Sequence, residues 1–243
     1  MIRARFLLAT AALLLMAQST AKLPPRIAII IDDLGYQLEP GRRAIELPGP
    51  VAYAILPATP RGEELARLAH QRGKEVLLHL PLEAVAHEGP TEPGGIVLEM
   101  SRTAFGDAFS RAIDSVPNAV GVSSHRGSLL TRHPGHMGWL MDELARRDGL
   151  FFIDSYTTHH SVALRIARES GIPATKRDVF LDHERRAETV LRELERLKKL
   201  ARERGAAVAI GHPYPETLEV LEKALPALAE EGIELVPLSQ LTT

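Results

Sequence analysis

Ile27 to Gly35 reads IAIIIDDLG, and the fold is decided by how that stretch is read. Five consecutive apolar residues make a strand with no polar side. Such a strand must be covered on both faces, as in a parallel sheet packed between helices. The run then meets Asp32 and Asp33, two adjacent carboxylates at the strand's C-terminal end. In a βα fold that is the end where loops gather and chemistry is found.

Outward from this stretch the chain alternates short apolar runs with longer amphipathic ones. Strands are predicted at 27–31, 51–56, 75–79, 119–122, 150–153, 174–179, 207–210 and 234–236. Helices are predicted at 61–71, 102–115, 136–147, 162–170, 185–204 and 216–230. Gly73, Gly149, Gly171, Gly205 and Gly232 each fall just past a helix and just before a strand, where a left-handed C-terminal residue belongs. Repetition of helix, glycine and strand argues for βα units, and seven or eight of them favour one closed or nearly closed α/β barrel, spanning residues 22–243, over two domains. Val190, Leu194, Leu197 and Ala201 form the stripe with which helix 185–204 faces the barrel. The Gly- and Pro-rich segment 81–98 is the one long irregular insert, placed to border a cleft.

Composition narrows the function. The 243 residues carry 29 Lys and Arg against 31 Asp and Glu, so no basic excess points to nucleic acid. With no cysteine, disulfides, thiolate catalysis and Cys-type zinc sites are excluded, and any metal must be held by His and carboxylate, for which ten histidines are available. Met1 to Ala21 has Arg3 and Arg5, an apolar run from Phe6 to Ala17, and small residues before Ala21. That is the form of a secretory signal, too short for a bilayer helix of about 20 residues. Cleavage after Ala21 and export to the periplasm or beyond the cytoplasm, with no membrane span left, are expected.

Polar residues collect at the predicted strand ends: Asp32 and Asp33, His79 with Glu83 beyond it, Ser123 to Ser128, Asp154 with Ser155, and His212 with Tyr214. His79, His125 and His212 occupy the same position in three units, whereas His70, His87, His133, His136 and His183 sit in helical or loop contexts that suit a solvated surface; His159 and His160 stay open. One carboxylate and two imidazoles suffice for a catalytic divalent metal, zinc being the expected ion, with open positions for water and substrate. Asp33, His79 and His125 are therefore assigned to the metal, Asp32 to the base and His212 to the acid that protonates a leaving group. Glu83, Arg126, Ser128, Asp154 and Tyr214 are candidate substrate contacts. This describes a hydrolase of amide or ester bonds.

The segments IAIIIDDLGY, VAYAILP, GKEVLLHLPLE, GVSSHRGSLLT, GLFFIDSYT, RDVFLDHE and AIGHPYPET resemble, in order and spacing, the divergent polysaccharide deacetylase family, distant relatives of the carbohydrate esterases that deacetylate chitin-like and peptidoglycan polymers. The resemblance runs from about Arg26 to the last strand. It implies a distorted seven- or eight-stranded β/α barrel, a divalent metal, and a carbohydrate substrate. It also implies the first aspartate of the pair as base, the second as ligand, and the late strand-end histidine, here His212, as acid. In the better-known enzymes the metal histidines stand four residues apart; here Glu83 occupies the second position, which leaves His125 as the replacement ligand and Glu83 as the alternative. The arginine that holds the base has Arg126 and Arg177 as candidates, and Ser123-Ser124 stands where the family usually has Asn-Asn. The resulting expectation is an exported, metal-dependent deacetylase of an N-acetylated amino sugar in a cell-envelope polysaccharide. The competing expectation is a glycan-binding or scaffold protein on the same barrel.

Overall fold

A computed structural model describes residues 23–85 and 92–243. The expected secretory segment, and His87, lie outside the described residues. Nine parallel strands form one sheet: β1 (Arg26–Leu34), β2 (Ala52–Ile55), β3 (Val76–Leu82), β4 (Ala119–Arg126), β5 (Phe151–Asp154), β6 (Ala174–Lys176), β7 (Val179–Phe180), β8 (Ala206–Gly211) and β9 (Glu234–Leu235). Their order is β6-β5-β4-β3-β2-β1-β8-β7, with β9 paired to the start of β1. Between them run α1 (Leu38–Ile45), α2 (Gly62–Gln71), α3 (Arg102–Asp114), α4 (Pro134–Ala145), α5 (Ala163–Glu169), α6 (Ala187–Arg204) and α7 (Pro215–Ala224).

Alternation along the strands divides the apolar residues into two cores. Ile27, Ile29 and Ile31 of β1 point outward with Leu78, Val122 and Ala209 to meet the helices, where the α6 stripe Val190, Leu194, Leu197 and Ala201 is buried. Ala28 and Ile30 point inward with Leu77, Phe151, Ile153, Val208 and Ile210, filling the barrel. Leu238 and Leu241, on a 3-10 turn, join this inner core, and the Glu75 carboxylate accepts from the Leu238 N–H at 2.7 Å. The barrel is thus plugged below the rim that carries the polar strand ends.

The predicted strand 174–179 is corrected. It is two strands, β6 and β7, at opposite edges of the sheet. The residues between them join the edges: the Arg177 N–H donates to the Asp154 carbonyl at 3.0 Å, and the Asp178 N–H to the Val208 carbonyl at 2.9 Å. The architecture is therefore a curled, distorted barrel with one unpaired seam. The predicted helix 216–230 is also shorter, since α7 gives way at Leu225 to a 3-10 turn containing Pro226. Helix α1 is not among the predicted helices, and it contains Pro40 and Gly41. Pro40 falls in the first turn, where its missing N–H has no intrahelical partner to lose, and Gly41 lets α1 approach α2: a Cβ there would stand 2.6 Å from a Leu65 methyl. All five glycines read as helix ends have positive φ, Gly205 closing α6 at 87°.

Candidate metal centre and acid-base site

Because side chains alternate, Asp32 follows Ala28 and Ile30 inward, His79 follows Leu77, His125 follows Gly121 and Ser123, and His212 follows Val208 and Ile210. Strict alternation would turn Asp33 away. Instead β1 carries an irregularity between Ile31 and Leu34 where three residues advance against two of β2, and Asp33 takes φ of 61°. Left-handed backbone is uncommon outside glycine but tolerated best by Asn and Asp, and here it brings both carboxylates to one pocket. Arg126 and Tyr156, also on this rim, have φ of 54° and 52°. Such conformations carry strain and concentrate at functional sites.

The pocket has a volume of about 220 Å³ and is lined by Asp32, Asp33, His79, His125, Arg177 and His212, among others. Asp33 Oδ1 lies 3.2 Å from His79 Nε2 and 3.0 Å from His125 Nδ1, and the two nitrogens are 3.1 Å apart. Those three atoms form a nearly equilateral triangle. Ligand atoms bonded at about 2.0–2.1 Å to a tetrahedral zinc would stand roughly 3.3 Å apart. Asp33 Oδ1 is buried and makes no well-directed hydrogen bond. An orphaned buried oxygen facing two imidazole nitrogens is a donor set that fits a divalent cation, and these residues form a possible three-residue metal site.

The ligands are held from behind. His79 Nδ1 lies 2.7 Å from Ser123 Oγ, so a proton on Nδ1 leaves Nε2 free to face the site. Ser123, one of the two serines of the GVSSH segment, thus touches a candidate ligand. His125 turns Nε2 toward Glu92 Oε1, 3.1 Å away, and Nδ1 toward Asp33. Glu92 comes from the irregular insert, where no periodic pattern singles it out.

His212 is oriented by Asp182, a buried carboxylate just after β7. Asp182 Oδ1 lies 2.9 Å from His212 Nδ1, while Oδ2 accepts from the His212 N–H at 2.6 Å and from the Thr217 hydroxyl at 2.7 Å. The Nε2 face is thereby turned to the pocket, 3.6 Å from Asp33 Oδ2. Asp182 was missed because the strand was read as ending at Val179; with β7 placed correctly it becomes a rim residue like the others.

Charge is uneven across the site. Burial pushes the Asp32 carboxyl above its ordinary pKa, against the lowering fields of His79 and His212. Asp33 is also buried, yet the close imidazoles of His125 and His79 hold it well below the usual carboxylate range. Burial would lower His125, but Asp33 and Glu92 outweigh it and raise it to about 9, so a cation would displace a proton there. Burial works against the His212 imidazolium too, and Asp182 more than offsets it, raising its pKa. Arg177 donates through Nε to the Ser155 carbonyl at 2.7 Å and through Nη2 to the Tyr156 carbonyl at 3.0 Å, and the charges of Arg177 and Asp32 favour each other. Of the two arginine candidates, Arg177 is the one anchored beside Asp32.

Four of the five candidate substrate contacts lie away from the three-atom cluster. Glu83 is not brought to it: β3 stays extended through Leu82, and four residues of strand span about 13 Å. Its carboxylate instead accepts from the Leu98 N–H at 2.6 Å. Ser128 accepts from the Val85 N–H at 3.1 Å, beneath the same insert. Asp154 faces outward and accepts from the Tyr156 N–H and the Ser161 hydroxyl at 2.9 and 2.7 Å, organising the loop after β5. Tyr214 stacks on His212, with ring centroids 5.3 Å apart, and lines a neighbouring depression. Arg126 lines the pocket itself, with Nη2 3.8 Å from Glu92. A cavity of about 500 Å³ near the opposite end is apolar, walled by Pro24, Pro48, Leu225 and Leu235, and gathers no comparable group of polar side chains.

Known proteins share the fold of this chain and one family includes it. The uncharacterised protein YibQ of Escherichia coli K12 is 37% identical over 237 residues, covering 98% of this chain and 73% of that protein. Among solved structures, the uncharacterised protein ATU2773 of Agrobacterium tumefaciens C58 superposes with a TM-score of 0.86 at 24% identity, over 91% of each chain. The catalytic domain of a peptidoglycan N-acetylglucosamine deacetylase from Eubacterium rectale gives 0.56 at 15% identity, over 91% of this chain and 94% of that one. A mutant of BA3943, described as a CE4 family pseudoenzyme with restored enzymatic activity, gives 0.56 at 14%, over 90% of this chain and 68% of that one. These likenesses establish a shared fold. The model of the divergent polysaccharide deacetylases matches residues 29–242, nearly the whole length, and the chain belongs to that family.

Proposed function

We infer that the protein is a metal-dependent hydrolase that removes acetyl groups from an N-acetylated amino sugar of a cell-envelope polysaccharide, and that it acts after export. The observation that carries this is the meeting, in one pocket, of a metal-type triad with a separate buried carboxylate and an Asp-supported histidine. Asp33, His79 and His125 would hold the cation, and one carboxylate with two imidazoles suits zinc. When bound, the ion supplies Lewis acidity toward an acyl oxygen.

The remaining steps belong to the chain. Asp32, with its pKa raised by burial and its charge supported by Arg177, accepts the proton of the attacking water. His212, whose imidazolium Asp182 favours, delivers a proton from Nε2 to the leaving amine. Raised basicity in the one and a supported imidazolium in the other separate the roles of base and acid. Export rests on the composition of residues 1–21 alone.

Metal analysis of the purified mature chain, combined with acetate release from N-acetylated glycan fragments, tests the reading. The expected outcome is near-stoichiometric metal in the wild type, metal kept but turnover lost in Asp32→Asn, and metal lost in His125→Ala. The pseudoenzyme among the structural neighbours favours a second reading, glycan binding without turnover, for which binding persists and no acetate appears in any variant.

A further inference from the structure

Beside the reaction pocket lies a second depression of about 330 Å³, which shares Asp33 and His212 with it and is walled further out by Tyr36, Gln37, Tyr214 and Arg185. The deacetylation chemistry makes no use of Arg185. Its position is nonetheless fixed: the guanidinium carbon sits 3.8 Å over the Tyr214 ring, and Nη2 donates to the Tyr214 hydroxyl at 2.9 Å. Tyr214 is fixed in turn. It stands between Pro213 and Pro215, donates its N–H to the His212 carbonyl at 2.8 Å, and stacks on the His212 ring. The result is a rigid column of imidazole, phenol and guanidinium leading out from the reaction centre.

The column ends in an unused charge. Among the described residues Arg185 has no ion-pair partner, whereas its neighbour Arg186 reaches Glu188 at 3.8 Å. Cation–π stacking orders a guanidinium without consuming its charge, so its outward donors stay available. The carboxylate the depression shares with the pocket, Asp33, is committed to two histidines and, by the reading above, to a cation. His212, the other charged group on the depression's wall, is paired with Asp182, so the charge left to meet a ligand is that of Arg185. On the outer wall Tyr36 is 52% exposed, presenting a ring to solvent beside the Gln37 amide.

We propose that this depression is a second sugar subsite that selects a carboxylate-bearing ring adjoining the one that is deacetylated. The Arg185 fork pairs with the carboxylate, a geometry guanidinium suits better than an ammonium, and Tyr36 covers an apolar face of the ring. The inference rests on the deacetylase reading, because the group bound is the neighbouring unit of the same polymer. One aromatic ring separates Arg185 from His212, a spacing on the scale of one sugar unit.

The test is calorimetric titration of the full mature chain with two probes: a tetrasaccharide of neutral N-acetylated amino sugars, and one of equal length in which every second ring bears a carboxylate. Wild type is expected to prefer the acidic probe by about tenfold, the scale of one hydrogen-bonded charge near the surface, and Arg185→Gln to abolish that ratio. Because a ratio is read, a partly unfolded variant does not mimic the effect. No preference in the wild type, or a preference that survives Arg185→Gln, overturns the proposal. Acetate release in the same samples separates the two levels. Release without preference removes the carboxylate subsite and keeps the deacetylase; preference without release keeps the carboxylate site and removes the deacetylase.

Discussion

Replacing Asp182 by Asn probes the site through a residue that would never touch substrate. The Asp182 carboxylate receives three donors: His212 Nδ1–H, the His212 backbone N–H and the Thr217 hydroxyl. An asparagine offers one oxygen. If that oxygen faces His212 Nδ1, its NH2 confronts the other two donors; if it faces them, its NH2 points at Nδ1 and forces the ring proton onto Nε2. The first arrangement leaves buried donors opposed, costing about 1–3 kcal/mol of stability; the second gives up the Nδ1–H donor; both lose the carboxylate partner, worth roughly 1.5–3 kcal/mol to the imidazolium. His212 should therefore become more acidic, because the Asp182 carboxylate is what offsets its burial. Acid catalysis near neutral pH should fall by about tenfold to a hundredfold. The sign for stability follows from the raised folded pKa. The contribution is fully present below the unfolded value of about 6.5 and is lost as pH rises through the folded one, so the stability gap between wild type and Asp182→Asn should be wider at acidic than at alkaline pH. Imidazole titration by NMR and denaturant unfolding at both ends of the range measure these quantities. An unchanged His212 titration with an unchanged stability gap would refute the assigned role of Asp182.

Glu92→Gln should weaken metal affinity by about tenfold to a hundredfold, since it takes away the carboxylate behind His125, and competition with a chelating dye reads this directly. Glu143, 5% exposed beside Arg102, Arg146 and Arg147, is desolvated, yet the arginines hold its carboxyl below the ordinary value. Its contribution is present above the unfolded pKa of about 4.3 and lost as pH falls through the folded one, so Glu143→Gln should flatten the acid limb of a stability profile measured from pH 6 down to about 3. Gly121→Ala should cost about 1–3 kcal/mol in urea denaturation, because the new Cβ would stand 2.7 Å from the Phe151 ring inside the barrel.

Most of the barrel is legible in the sequence because its strands are apolar on both faces and its helices end at glycine, signals that depend only on local geometry. The same alternation explains why Asp32, His79 and His212 can be read together, each two residues beyond an inward apolar side chain, while His125 shares its parity with Gly121 and Ser123 on β4. Asp33 is a different case. Its carboxylate reaches the pocket through a left-handed residue at a strand irregularity, which parity does not reveal. The seam between β6 and β7 is invisible for a related reason, since a short apolar run looks the same whether it continues along one edge or crosses to another. Glu83 illustrates the opposite error. A four-residue spacing places side chains together on a helix and far apart on a strand, so a spacing carried over from relatives means little until the element beneath it is known. Glu92 and Asp182 escape because each matters only through the histidine it faces.

The seam between β6 and β7 has one more implication. In a fully laddered cylinder the diameter is set by the number of strands, whereas here a two-residue stitch, Arg177-Asp178, draws the free edges together, and Arg177 also projects its charge into the pocket. Mouth width and cation placement are thus governed by one short link. Lengthening it would broaden the opening for bulkier chains by moving the edge strands β6 and β7, which carry none of the three candidate ligands, and that makes the stitch a natural point for related proteins to diverge in the size of what they admit.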